Sequence, residues 1–201
     1  MNLSDMRSQI RKDLHDEDSQ NYRWTDSELN RHIDHAVREL SLSSPLEAKA
    51  TLSTTAESRD LSLSSIRDLV EIEAVEYPVG NYPPSYVRFS AWADTLTLLT
   101  DSLPGDTEDV YVYYGKLHIL NADSSTLPAK LEDLVALGAA AYAAIEWASF
   151  ATNRVNLGGA ETWRNYLTWG QDRLADFMKG LAKHSGKNTV RVRRLYPISY
   201  T

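Results

Sequence analysis

The run Leu134–Ala151 constrains this chain more than any other stretch. It holds a single charged residue, Glu146, and alternates large apolar side chains with very small ones: Gly138, Ala139, Ala140, Ala141, Ala143, Ala144 and Ala148. Its length is close to that of a membrane span, but it is mostly Ala and carries Glu146, so it reads as a packed helix. Thr126-Leu127-Pro128 opens it, because Pro in a first turn removes no hydrogen bond that the helix would make. Leu131, Leu134, Val135, Gly138, Tyr142 and Ile145 mark an apolar face, and the small residues keep the helix slim enough for another backbone to approach closely. Asn153–Gly159 breaks the pattern. Trp163, Tyr166, Leu167, Gly170, Leu174, Phe177, Met178 and Leu181 then recur at the spacing of a second long amphipathic helix, which ends before Gly186.

Two shorter helices are expected at the other end. Leu3, Met6, Ile10 and Leu14 keep helical spacing until the acidic run Asp16-Glu17-Asp18. After a polar loop, Thr25-Asp26-Ser27-Glu28 has the form of a capping box, in which Thr25 accepts from the amide three residues on and Glu28 reaches back. Leu29, Ile33, Ala36, Val37 and Leu40 follow on one face, with Trp24 placed to staple against Leu29 or nearby. Between the helical ends the chain reads as strands. Ala50, Leu52 and Thr54 alternate, as do Val70–Ala74 and Val87–Ala91. The Ser-rich segment around Ile66 reads as one helical turn. Thr95–Thr100 and Val110–Tyr114 look like the arms of a hairpin, with a type II turn at Pro104-Gly105. Pro83 and Pro84 belong to a loop or a sheet edge.

These elements predict an α+β fold: a bundle of about four helices with a β-rich insertion and an extended C-terminal arm. Its 201 residues suffice for one core. The expected organisation is a single α+β domain over residues 1–186, with helices in 3–43 and 127–185 and the insertion at 46–120. An arm over 187–201 follows it.

Charge and residue types then exclude most chemistry. The net charge is −7, which argues against a surface that grips nucleic acid throughout. From Phe177 onward there are six bases and no acid, so the first 176 residues carry a net of −13. With no cysteine there is no disulfide, thiolate site or Cys nucleophile. The charged N-terminus lacks an apolar signal core, so neither secretion nor a membrane partner is expected. His32 and His35 lie three apart on a helix but have no third ligand, and they read as rim histidines rather than a metal site. Glu71 and Glu73 are explained by alternation on a half-solvated sheet. The acidic loop of Asp101, Asp106, Glu108 and Asp109 lacks EF-hand spacing. Tyr111, Tyr113 and Tyr114 suit a packed sheet or a subunit interface. No phosphate loop or nucleophile elbow is present, so no enzyme, cofactor or metal is expected.

The tail is different. Arg191, Arg193 and Arg194 stand among Val190, Val192, Leu195, Tyr196, Ile198 and Tyr200, more apolar and aromatic groups than a solvated tail carries. It reads either as a last strand of the protein's own sheet or as an arm that adds to a partner. The complementary charges of tail and body favour the arm, with Arg191, Arg193, Arg194, Leu195, Tyr196, Ile198 and Tyr200 as its contact residues.

Trp24-Thr25-Asp26-Ser27-Glu28-Leu29 and its helix resemble the opening of tailed-bacteriophage head–tail adaptor (connector) proteins. Leu127-Pro128 before an Ala-rich helix, and the amphipathic helix of Gly159–Ser185, resemble their C-terminal half. The resemblance implies a structural virion protein without catalytic residues, made in the host cytoplasm and located at the head–tail junction. It implies a homo-oligomeric ring, typically of twelve copies, bound to the portal protein above and to a tail or neck protein below. DNA would pass through its lumen without sequence-specific binding, and the C-terminal segment would reach the portal. Another neck or tail-completion protein is the alternative, and a small enzyme a more distant one.

Overall fold

The computed structural model describes residues 1–151 and 162–185. Among them are four helices and seven strands, all strand pairs with defined register being antiparallel, which is the expected α+β composition. The candidate arm, from Arg191 to Tyr200, lies outside the described residues. The chain divides into two compact units. One takes Met1–Leu46 and Leu117–Gly186, and the other includes Glu47–Lys116.

The helical unit holds α1 (Leu3–Asp13), α2 (Asp26–Ser43), α3 (Ala129–Ala151) and α4 (Thr162–His184). Both N-terminal helices start on capping boxes. Asn2 and Asp5 exchange bonds ahead of α1, and Thr25 and Glu28 do so ahead of α2, the second as its sequence predicts. α3 contacts each of the other three helices. It is therefore buried around most of its circumference rather than along one stripe: Val135, Ala136, Ala139, Ala140, Ala143 and Ala144 are all inside. Leu134, Tyr142 and Ile145, expected on the apolar face, are only half-buried. A helix surrounded by others needs apolar character all round. By length and composition alone α3 could cross a membrane, but here its small side chains serve close helix packing. A Cβ on Gly138 would come within 2.8 Å of the Phe177 ring, and one on Gly170 within 3.2 Å of the Ala141 carbonyl oxygen. The α3–α4 seam is as tight as the Gly and Ala pattern implies.

The β unit contains β1 (Leu46–Ser53), β2 (Asp60–Ser62), β3 (Leu69–Glu76), β4 (Tyr86–Val87), β5 (Phe89–Trp92), β6 (Thr95–Leu98) and β7 (Asp109–Lys116). One sheet has the order β1-β7-β3-β4 and the other β2-β6-β5. They share a core of Leu61, Leu63, Val75, Leu96, Leu98, Val110 and Val112. The segment around Ile66 forms a turn, its amide donating to Leu63 O.

Three local expectations are corrected. First, β6 and β7 are not arms of one hairpin. β6 pairs with β2 and β5, while β7 belongs to the other sheet. The intervening loop is too long for a tight turn, and Arg59 fixes its start by donating to Thr100 O and Asp101 O. Second, positive φ falls on Thr107 rather than Gly105, so Pro104-Gly105 is not a type II turn. Third, the alternation along Val70–Ala74 is interrupted. The β3–β7 ladder slips between Leu69 and Glu71 and again between Ile72 and Ala74, so Glu73 is an extra residue of a bulge rather than the regular i+2 partner of Glu71.

Candidate functional site

The Trp24–Leu29 motif builds a buried node at the start of the helical unit. Leu14 closes α1 and His15 takes a positive φ, turning the chain so that Asp16 points back to the helix. The Asp16 carboxylate is buried and accepts from Arg11 Nη1 at 2.6 Å, from the Arg23 amide at 2.7 Å and from the Trp24 amide at 3.4 Å. Arg11, also buried, donates through Nη2 to Trp24 O and to Asp26 Oδ1. Its guanidinium stacks on Tyr22 at 3.5 Å. The Arg11 bond holds the Asp26 carboxyl below the usual range.

Trp24 shares a core with Leu29, and its indole N–H reaches further than a local staple, donating to Ala143 O on α3. Arg23 lies over the Trp147 and Tyr166 rings and hydrogen-bonds the Tyr166 hydroxyl, tying the same loop to α3 and α4. Trp24 and Asp26 of the motif are thus used in holding helices together, and Thr25 and Glu28 in capping α2. Asp16 and Arg11 were not legible as site residues, because a lone acidic run and a basic helix end look solvated in sequence.

The histidines do not converge. His32 is buried, with Glu146 Oε2 2.6 Å from its Nε2 at ion-pair distance but without hydrogen-bond geometry. His35 stacks on Tyr142 at 4.2 Å. Burial outweighs the carboxylate and pushes the His32 pKa down. Arg31, bonded to both Glu146 oxygens, holds that carboxyl below its ordinary value. Among the described residues no three His, Asp or Glu side chains are grouped to hold a metal ion. His118 is a further buried group that the sequence left without a role. Its ring nitrogens bond Thr126 O and Ser44 O, and its amide bonds Ser41 Oγ. It clamps the end of α2 to the chain returning ahead of α3.

Several acidic and aromatic groups of the β unit are also engaged. Glu108 accepts from the Gly105 amide and from the Tyr77 hydroxyl. Tyr113 donates to Glu76, which pushes its hydroxyl pKa up to about 12. Lys49 sits over Tyr111. In the helical unit, a trough of about 510 Å³ has Leu137, Ala140 and Trp169 with charges of both signs, Lys12, Asp13, Asp133 and Arg173. None of these arrangements aligns a nucleophile with a base. What the surface does offer is exposed aromatic side chains, above all Tyr82 and Trp92, which are 99% and 87% exposed. Such groups suit contacts with other proteins.

The family model described as SU10 adaptor protein matches residues 1–193. No curated protein matches the sequence. One solved structure, described as the neck of an empty GTA particle computed with C6 symmetry, is 15% identical. The match covers 84% of this chain and 88% of that one, with a TM-score of 0.29. With the match spanning nearly its whole length, the chain belongs to the SU10 adaptor protein family.

Proposed function

We propose that the protein is a structural virion component that forms a ring at the head–tail junction. Twelve copies join the portal above to a tail or neck protein below and leave a channel through which DNA passes. The observation that carries this reading is the adaptor-family match over residues 1–193. Two features support it. The motif residues are used in packing rather than in chemistry, as a structural, non-catalytic part requires. The net −13 over the first 176 residues suits a passage that must not hold phosphates. Arg191, Arg193, Arg194, Leu195, Tyr196, Ile198 and Tyr200 form the contact arm, meeting acidic groups on the portal or on a neighbouring subunit. The protein is made in the host cytoplasm and binds no metal or cofactor. Light scattering with negative-stain imaging of the purified protein, alone and with its portal, tests the reading. Rings with a central hole are expected, and a compact monomer that ignores the portal would overturn it.

A further inference from the structure

Among the described residues the β unit contains an unfinished sheet edge. β4 covers only Val75 and Glu76 of the eight-residue strand β3. On the side away from β7, Leu69–Ile72 has no ladder partner among the described residues. Where β4 would continue there is instead a groove of about 300 Å³. Leu69, Val70, Glu71 and Ile72 wall it, and Leu63, Phe89, Ala91 and Ala93 complete its lining, with Glu71 as the single charged group. Ala91 and Ala93 are exposed, and Trp92 between them stands 87% exposed at the tip of the β5–β6 hairpin. An open edge beside an apolar lining is a template for an added strand.

We propose that this groove receives the C-terminal segment Thr189–Tyr196 of a neighbouring copy, which pairs along Leu69–Ile72. The inference rests on the ring reading and chooses the neighbouring subunit as the arm's destination. The segment's sequence, Thr-Val-Arg-Val-Arg-Arg-Leu-Tyr, has the period of a strand at its start. Val190 and Val192 would turn toward Phe89 and Ala91, while Arg191 and Arg193 would turn to the side of Glu71. Opposite charges across neighbouring strands stabilise the pairing and oppose a slip by one residue. Sixteen residues follow Ser185. Fully extended they reach up to roughly 50 Å, enough to leave their own subunit.

The absence of cysteine makes a direct test available. Full-length Glu71→Cys protein is mixed with full-length protein carrying one cysteine at Val190, Arg191, Val192 or Arg193, and each mixture is oxidised gently. The proposal expects mixed disulfides at least tenfold more abundant for Arg191→Cys and Arg193→Cys than for the two valine positions. Ser102→Cys in place of Glu71→Cys should give none. Cross-links that form only when both cysteines share one chain would overturn the neighbouring occupant, leaving the tail as a strand of its own sheet. Equal yields at all four positions would overturn the strand pairing. No cross-link in material that light scattering shows to be a ring would overturn the groove as the arm's site while leaving the ring reading intact. No cross-link in material that stays monomeric would overturn the ring reading, and the proposal with it.

Discussion

Burying the Arg11 guanidinium beside the Asp16 carboxylate takes two charges out of water, a cost offset only while every bond around them is made. Asp16 also satisfies the Arg23 and Trp24 amides, so removing its charge strands a guanidinium and two donors together. Asp16→Ala should destabilise the protein by about 3 kcal/mol, the lower end for breaking a buried pair, because Asp26 still engages Arg11. Urea unfolding gives the value, and a midpoint equal to that of the parent would refute the node. His32 supplies a pH dependence. In the unfolded chain a histidine titrates near about 6.5, and burial lowers that value in the fold. Between the two values the unfolded chain binds more protons, so stability rises with pH across that window and is lost on acidification through it. Glu146, held low by Arg31, adds a loss of the same sign at more acidic pH. The melting temperature should therefore fall from pH 7 to pH 5, and His32→Gln should fall less steeply. Parallel profiles would exclude His32 as the cause.

At the scale of elements, the α3–α4 seam is set by backbone approach, so added volume has nowhere to go. Gly138→Ala would drive its Cβ into the Phe177 ring, and Ala141→Leu would load the turn whose carbonyl already faces Gly170. Each should cost about 1–3 kcal/mol by overpacking, read as a lower denaturation midpoint. If both variants unfold like the parent, the seam is not close-packed. Helices were legible because their signals are local: Thr25–Glu28 caps α2 and Pro128 precedes α3 as written. Strand positions were legible too, but not their partners. Nothing local tells β6 to choose β2 and β5 over β7, since pairing is decided by the shared core of Leu61, Leu96 and Val110. The bulge at Glu73 and the role of His118 were hidden for the same reason. Each depends on residues distant in sequence, as with His118 and Ser41.

At the scale of the whole molecule, the charge division between −13 over residues 1–176 and +6 over residues 177–201 should give the proposed assembly a dependence that folding lacks. Among the described residues the helical core runs from Met6 to Leu181 and the β core lies within Leu61–Val112. A variant ending at Gly186 should keep its melting temperature within about 2 °C, the shift that less than about 1 kcal/mol makes in a chain of this size. The same variant should lose the proposed ring and the proposed attachment to the portal, because Arg191, Arg193, Tyr196 and Tyr200 supply the kinds of side chain that dominate such contacts. Raising the salt of the full-length protein from 0.1 M to 1 M shortens charge screening from about 10 Å to about 3 Å. That change should move the assembly toward smaller species while circular dichroism stays that of the folded subunit. Sedimentation and melting, measured on the same samples, separate the two effects. A truncated protein that still assembles removes the arm from the contact, and one that unfolds makes the tail part of its own sheet.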